Sequence, residues 1–213
     1  MLSTRIYSEE WEVDSRLKRF GATRDELINI ARQTSAHRAD AIAIDPLTTA
    51  GQLSYIYGTR YKRLLFMPKG YLLDRRENVE SVIHPESGIR IVYQNVDQAC
   101  GLTSPQAISG KGPAANRMID NGQGVLFHEG DLPEAIPQHK IDSLNSSVWY
   151  LCMSFNDDDV RVELSLPAFV KGKNFGVFAE RIFILPGGGW GGLVAIPDSD
   201  EGPVNELPRV ARR

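Results

Sequence analysis

Cysteine is scarce in this chain, which contains only Cys100 and Cys152 among its 213 residues. Neither cysteine belongs to a CxxC spacing or a Cys/His pattern, so the sequence offers no disulfide framework and no structural zinc site. A chain of this length does not need such cross-links, because one hydrophobic core is enough to stabilise it. We therefore expect two buried free thiols.

Long apolar runs are absent as well. No stretch approaches the ~20 residues of a membrane-spanning helix. Acidic residues interrupt every apolar run in the opening MLSTRIYSEEWEVDSRLKRF, which is unlike a secretory leader. Hydrophobic residues make up 42% of the chain and charged residues 24%, the composition of an ordinary globular domain. We expect a soluble, cytoplasmic protein that does not bind a membrane.

Motifs of known catalytic families are also missing. No two histidines have a metal-ligand spacing, and His84 and His128 each stand beside a turn. The run SGKGPAANR, which contains Lys111, places glycines before a helix start but lacks the spacing of a phosphate-binding P-loop. No motif singles out one serine as a nucleophile. The sequence therefore predicts no cofactor and favours a non-enzymatic protein.

The first third of the chain is predicted to be helical. Ser8 is the candidate N-cap of the first helix, with acidic residues in its first turn, and Gly21 is the candidate stop. Apolar residues that recur every three to four positions predict one face that packs on a core. In this helix they are Trp11, Val13, Leu17 and Phe20.

Two further helices are expected. Thr23 and Glu26 have the spacing of a capping box, in which each side chain satisfies a free backbone N–H, and so predict the start of the second helix. The proline in AIAIDPL disfavours helical geometry before it, so this helix is expected to end near Ile44. Thr49 and Gln52 repeat the capping-box spacing ahead of a third helix over residues 50–66.

From about Tyr71 the pattern changes to β-strands. The runs SVI and GIRIVYQNV flank a Pro-Glu-Ser loop, VWYLCMSF and VRVELSL flank an Asn-Asp loop, and GVFAERIFIL ends at Pro186. Strands joined by short loops of this composition predict an antiparallel sheet. Two short helices are predicted to begin near Pro105 and Pro113.

These patterns predict an α+β fold, with a helical N-terminal region followed by a mainly antiparallel β-sheet, short helices and a flexible C-terminal tail. We assign residues 1–70 to the helical region and residues 71–196 to the sheet region, and expect the two to pack as one domain. Residues 197–213 contain Pro, Asp and Arg and form the expected tail.

The most informative stretch is residues 55–76, YIYGTRYKRLLFMPKGYLLDRR, called the basic aromatic segment below. It sets six basic residues against one acid, although the whole chain has a net charge of −3. Clustered cations interleaved with aromatic rings favour a polyanionic partner, DNA or RNA. The predicted phosphate contacts are Arg60, Lys62, Arg63, Lys69, Arg75 and Arg76. The predicted stacking residues are Tyr57, Tyr61 and Tyr71.

The third helix would arrange part of this segment. Its buried stripe is expected to comprise Leu53, Ile56 or Tyr57, Tyr61, Leu64 and Leu65. Its polar face is expected to present Gln52, Thr59, Arg60 and Arg63. Two arginines one turn apart allow a possible helix–turn–helix within residues 1–70 that reads duplex DNA, although Gly58 in mid-helix counts against it. The other mode of nucleic-acid binding is stacking of the tyrosines on unpaired bases. The alternative is an ordinary solvated face whose arginines pair with acids such as Asp25 or Glu26.

A second functional hypothesis is a metal-dependent phosphodiester or nucleotide hydrolase. Its candidate ligands, from NDDDVRVEL and FAERIFIL, are Asp157, Asp159, Glu163 and Glu180. One ion could bind these acids only if Glu163 and Glu180 lie on the same face of adjacent strands. We expect this condition to fail, because Glu163 can pair with a basic neighbour, Arg161 or Arg181. A protein–protein adaptor is the third hypothesis.

Overall fold

The structure is a computed structural model that describes residues 4–75, 78–109, 147–156, 158–171 and 174–191. Three α-helices lie in these ranges: α1 (Glu10–Leu17), α2 (Arg24–Arg38) and α3 (Thr49–Phe66). One 3₁₀ turn follows α1 at Lys18–Phe20, and another follows α3 at Met67–Lys69. The helix predicted near Pro113, the loop containing Lys111, His128 and the tail at 197–213 lie outside the described residues.

Within the same ranges the chain forms one large sheet and one small hairpin. Seven strands form a mixed sheet in the order β1-β9-β6-β5-β4-β3-β2, and β7 pairs with β8 separately. The strands are β1 (Arg5–Tyr7), β2 (Leu72–Asp74), β3 (Ser81–Ile83), β4 (Arg90–Asn95), β5 (Val148–Asn156), β6 (Asp159–Pro167), β7 (Val170–Lys171), β8 (Asn174–Phe175) and β9 (Phe178–Leu185).

The α+β class is confirmed, and so is the mainly antiparallel character of the sheet. Antiparallel ladders join β2 to β3, β3 to β4, β5 to β6 and β6 to β9. The ladders from β4 to β5 and from β1 to β9 are parallel, and the sequence predicted neither. Both predicted hairpins, β3–β4 and β5–β6, are present. No helix begins at Pro105 in the described part of that segment, where Ala107 instead bridges to Val96.

The predicted capping box and the predicted glycine stop are confirmed. Gly21 ends the first helical segment in a left-handed conformation, with φ of 65°, which costs glycine little. Thr23 accepts a hydrogen bond from the Glu26 amide at 3.3 Å, and the Glu26 carboxylate accepts one from the Thr23 amide at 2.8 Å. The predicted end of the second helix is wrong, since α2 already ends at Arg38. The residues after it form turns closed by their own hydrogen bonds, such as the one from the Ile42 amide to Asp45.

The start of α1 also differs from its prediction. Glu9 rather than Ser8 precedes the first helical residue, and no side chain caps the helix. The buried positions of this short helix are Val13 and Leu17. Trp11 lies on the solvent side and is 72% exposed, so its predicted place in the apolar stripe is wrong.

The buried face of α3 only partly matches the one predicted. Its N-cap is Thr48, which makes no side-chain hydrogen bond to the backbone, so the second predicted capping box is wrong. Tyr61 and Leu65 pack against the core as predicted. Leu64 and Ile56, however, are 54% and 49% exposed, whereas Thr59 is buried. Ser54 and Gly58 face the sheet where the Tyr93 ring occupies the space. The buried positions of α3 are Ser54, Gly58, Thr59, Lys62 and Phe66.

The sheet carries an apolar cluster on each face. Trp149 and Leu151 of β5 join the cluster that contains the buried residues of α1 and α2, whereas Tyr150 and Cys152 join a second cluster on the other face. Cys152 and the partly exposed Cys100 are both free thiols. None of the helices in the described ranges combines the length and the apolar character that a membrane span requires.

Candidate functional site

Two of the predicted nucleic-acid contacts, Lys62 and Tyr71, are buried. The Lys62 side chain is 0% exposed, and its Nζ donates to the main-chain oxygen of Glu80 at 2.8 Å. Burial, and then the neighbouring charge of Arg63, lowers the pKa of Lys62 to about 7. Tyr71 donates to the Phe20 carbonyl, and burial raises the pKa of Tyr71 to about 12. Neither side chain can reach a phosphate or a base, which corrects two predicted contacts.

Three other basic residues of the segment bind acids of the same chain. Arg63 forms an ion pair with Glu80, and the Nε of Arg75 lies 3.4 Å from the same carboxylate. Lys69 donates to both carboxylate oxygens of Glu26 at 2.7 Å. These contacts are the internal pairing that the sequence left open as the alternative to nucleic-acid binding. They also divide the cations between two sites, with Arg63 and Arg75 at Glu80 and Lys69 at Glu26.

Two of the predicted stacking tyrosines, Tyr57 and Tyr61, contact a histidine that the sequence analysis did not select. His37, in the last turn of α2, stacks on Tyr57 with ring centroids 3.5 Å apart. Its Nε2 lies 2.8 Å from the Tyr61 hydroxyl. The guanidinium carbon of Arg60 lies 4.5 Å from the centre of the Tyr57 ring. Both tyrosines therefore have partners within the chain. The sequence did contain a signal for His37, because basic side chains are stabilised near the C-terminus of a helix and His37 and Arg38 stand together at the end of α2.

Arg60 is the exposed cation of α3, and no carboxylate among the described residues pairs with it. Arg76 lies outside those residues. The possible helix–turn–helix is wrong, because residues 39–48 separate α2 from α3, whereas that motif uses a turn of about 3–4 residues. α3 also packs against β3 and β4, so part of its surface is not free to enter a groove.

Glu163 forms a buried ion pair on the sheet face that the helices do not cover. Its carboxylate accepts hydrogen bonds from Arg181 at 2.7 and 2.9 Å and from the Ser165 hydroxyl at 2.7 Å. The Cys100 amide donates to the same carboxylate. Burial raises the pKa of the Cys100 thiol, and the Glu163 charge acts in the same direction, so this thiol is a poor nucleophile. The predicted pairing of Glu163 with a basic neighbour is confirmed.

Glu180 lies on the opposite face of the sheet. There Arg16 of α1 donates to its two carboxylate oxygens at 2.8 and 2.6 Å. The condition for a hydrolase site is therefore not met. Asp159 accepts from Arg161 at 2.7 Å, and Asp157 lies outside the described residues. No group of three potential metal-ligating side chains occurs in the part of the chain that the structure describes.

A cleft of about 840 Å³ lies beside the N-terminal turns of α3. β3 pairs with β4 only as far as Ser81 opposite Val92, and β4 continues to Asn95. The cleft opens at this end of β4, between the helix, residues 78–80 and Ile108. Its volume is within the range of small-molecule sites, which is ~300–1,000 Å³. This cleft is the candidate functional site.

A polar network lies beneath the cleft. The Tyr93 hydroxyl lies 2.8 Å from the Ser54 Oγ and 2.8 Å from the Asn95 Oδ1. Ser54 donates to the same amide oxygen at 2.7 Å, and the Asn95 Nδ2 donates to the Gly51 carbonyl at 2.9 Å. Burial raises the pKa of Tyr93, so its hydroxyl stays protonated. These hydrogen bonds hold the side chains of β4 against α3.

The walls of the cleft are mainly apolar and carry two charges. The apolar groups include the rings of Tyr55 and Phe155. The charged lining residues in the described part of the chain are Arg38 and Glu80, and Arg63 neutralises Glu80. The Arg38 guanidinium carbon lies 4.9 Å from the centre of the Phe155 ring. Neutral hydrogen-bonding side chains are supplied by Gln52, Asn78, Gln94, Asn95 and Ser109.

Gly58 allows α3 to lie this close to the sheet. A Cβ at Gly58 would overlap ring atoms of Tyr93, so a residue without a side chain is needed. Ser54, one turn earlier, is small enough to hydrogen-bond the same tyrosine. A signal for this contact was present in the sequence, since a mid-helix glycine costs ~1 kcal/mol relative to alanine and often has a packing reason. Sequence reasoning counted Gly58 only as a weakness and missed the cleft.

Comparisons with protein-family models, with curated proteins and with solved structures find no match to this chain. Helices packed on a mixed sheet occur in proteins of many unrelated functions, so the fold class carries no function by itself. The cleft and its side chains are therefore the features from which a function can be inferred.

Proposed function

We propose that this protein binds a small, mainly apolar molecule in the cleft beside α3. The observation that carries the proposal is the combination of volume, apolar walls and a few converging polar groups. Small-molecule sites share this composition, because apolar contact supplies affinity while a few polar groups fix the orientation. Tyr93 and Asn95 line the cleft on a side that hydrogen bonds to α3 already hold in place.

The chemistry of the cleft favours binding over catalysis. Ser54 is hydrogen-bonded to a phenol and an amide, and neither is a base that could activate its hydroxyl. Burial, and then the Glu80 charge, raises the pKa of Tyr55, so this phenol stays neutral too. Such groups orient a ligand without moving a proton. We therefore place the protein among non-enzymatic binding proteins of the regulatory kind.

The test is a fluorescence titration with phenylnaphthylamine, a neutral apolar probe whose emission rises when it leaves water. The wild-type protein is expected to bind it saturably at one site. Ala50 lines the cleft, so Ala50→Trp places an indole ring in it and should weaken binding at least about tenfold, because the ring occupies the ligand's volume.

The matched control is Gln33→Trp, which adds the same ring at an exposed position of α2 outside the cleft. This variant should bind the probe as the wild type does. Thermal unfolding of all three proteins checks that Ala50→Trp is folded. Equal affinity of the two tryptophan variants would show that the probe binds elsewhere and would contradict the proposal.

Binding to DNA or RNA stays a prediction, with fewer expected contacts than the sequence indicated. It now rests chiefly on Arg60, because the other described basic residues of the basic aromatic segment are buried or paired within the chain. The adaptor hypothesis likewise stays a prediction. It rests on Ile56, Leu64 and Met67, which are exposed and line a shallow depression of α3 together with Arg60.

A further inference from the structure

Arg38 is a cation of the cleft to which the described residues offer no counter-charge. It lies half-buried in the last turn of α2, with its guanidinium group near the Phe155 ring. No carboxylate among the described residues lies within ion-pair distance of it. Its charge acts within the cleft, since it opposes the rise that burial causes in the pKa of Tyr93.

The other charged lining residue, Glu80, is already neutralised. Arg63 pairs with its carboxylate, and the Nε of Arg75 lies 3.4 Å from the same group. The buried Lys62 binds its main-chain oxygen. A molecule entering the cleft therefore meets one cation, Arg38, for which the described residues supply no carboxylate, whereas the acid of the described walls, Glu80, is paired.

We propose that the ligand is an anionic amphipathic molecule, an organic acid with an apolar body, whose acid group binds Arg38. This inference rests on the proposed function and deepens it. A guanidinium group presents a planar fork of N–H donors that matches the two oxygens of an acid. The apolar body then packs along the walls that contain Tyr55 and Ile56. A neutral ligand would desolvate Arg38 without replacing its lost hydrogen bonds, and that costs affinity.

The experiment compares two probes of similar shape on the same variants. Anilinonaphthalene sulfonate carries an acid group, and phenylnaphthylamine does not. Arg38→Met keeps an apolar stem and removes the charge, so it should weaken sulfonate binding about tenfold. It should leave binding of the neutral probe unchanged or strengthen it, because that probe no longer desolvates a guanidinium group. Arg38→Lys should restore part of the sulfonate affinity, since it returns the charge without the fork.

Arg60→Met is the matched control, because it removes the same charge from an exposed position of α3 that does not line the cleft. It should leave both affinities unchanged. Sulfonate affinity that is unchanged in Arg38→Met would overturn the assignment of the acid group to Arg38. So would a loss of affinity for both probes in Arg38→Met together with no recovery of sulfonate affinity in Arg38→Lys. Failure of the neutral probe to bind the wild type contradicts the cleft itself, so the two failures are distinguishable.

Discussion

The two ends of α3 differ in what their side chains do. The C-terminal end is rich in basic residues, yet Lys62 is buried and Arg63 pairs with Glu80. The N-terminal end, residues 49–58, contains no charged side chain, and the cleft lies there. A high density of charge in the sequence therefore did not locate the candidate site. The site lies where the fold leaves space and where one charge, on Arg38, has no counter-charge among the described residues.

The difference follows from solvation. A charged side chain brought near the protein surface loses hydration, and an acid of the same chain is the nearest replacement for the lost water. Glu80 and Glu26 serve in this way for the basic aromatic segment. At the N-terminal end the small side chain of Ser54 and the main-chain carbonyl of Gly51 hydrogen-bond to Asn95 of β4. Ion pairs within the chain therefore occupy the basic side chains at the C-terminal end of α3. At the N-terminal end a cavity remains beside the hydrogen bonds between α3 and β4.

The largest expected effect concerns Gly58, where the helix meets Tyr93. Gly58→Ala should lower the free energy of unfolding by about 3 kcal/mol, because the added Cβ overlaps the buried ring and displaces its hydrogen bonds, while the gain in helix propensity is only ~1 kcal/mol. Urea denaturation measures the change. The same variant should also weaken binding of the neutral probe, since Tyr93 lines the cleft.

Gly51→Ala is the internal control for this prediction. A Cβ at Gly51 meets no heavy atom within 4 Å, so the substitution should be neutral or stabilise the protein by up to ~1 kcal/mol through helix propensity. Similar free energies of unfolding for the two alanine variants would mean that Tyr93 does not press against Gly58.

An intermediate effect concerns Lys62 at the other end of the helix. Its pKa in the folded protein is about 7, below its ordinary value of 10.5. Between these values the Lys62 amine binds more protons in the unfolded chain than in the folded one, so its contribution to stability rises with pH. The Cys100 thiol and the Tyr93 phenol, whose pKa values burial raises, act in the opposite sense, but they do so equally in the wild type and in Lys62→Met. Because Lys62→Met fills the same space without an amine, the free energy of unfolding of the wild type minus that of Lys62→Met should rise by about 1 kcal/mol per pH unit between about pH 8 and pH 10.

The measurement is urea denaturation at several pH values, with Lys69→Met as the matched control. Lys69 is partly exposed and bound to Glu26, so its loss should leave the rise with pH intact. A difference between the wild type and Lys62→Met that stays constant over this range would show that Lys62 retains its charge in the folded protein.

The smallest effect concerns nucleic acid. If Arg60 is the main available cation, the log–log slope of DNA affinity against salt should be about −1, rather than the −4 to −5 of about five phosphate contacts. Arg60→Ala should abolish the slope, whereas Arg63→Ala should leave it unchanged because Arg63 is bound to Glu80. A slope of about −4 or steeper in the wild type would mean that the internal ion pairs open on binding.

Much of the fold could be read from local patterns. The capping box at Thr23, the stop at Gly21 and the two hairpins are confirmed, because each depends on hydrogen bonds among residues close in the chain. The parallel ladder of β4 with β5 was missed for the opposite reason. Its partners are more than fifty positions apart, for example Arg90 and Val148, and no local pattern selects such a pair.

The candidate site was predictable only in part. The sequence singled out residues 55–76 as unusual, and Tyr55 and Ile56 of that stretch line the cleft. The buried face of α3 was predicted only in part, since Tyr61 and Leu65 pack on the core but Lys62, expected to face solvent, is buried. Burial of a face depends on what packs against it, and the Tyr93 ring favours glycine and serine over larger apolar side chains.

The amino-acid sequence alone was sufficient for the α+β class, for the five longer or hairpin strands β3, β4, β5, β6 and β9, and for several helix ends, since hydrophobic periodicity and capping act within a few residues. The short strands β1, β2, β7 and β8 were not predicted. Tertiary structure was needed to show that Glu80 neutralises Arg63, that Glu163 and Glu180 lie on opposite faces of the sheet, and that Arg38 lines a cleft. Each of these facts joins residues from different elements. Charge, burial and cavity volume are properties of such assembled neighbours, and the order of residues along the chain does not specify them directly.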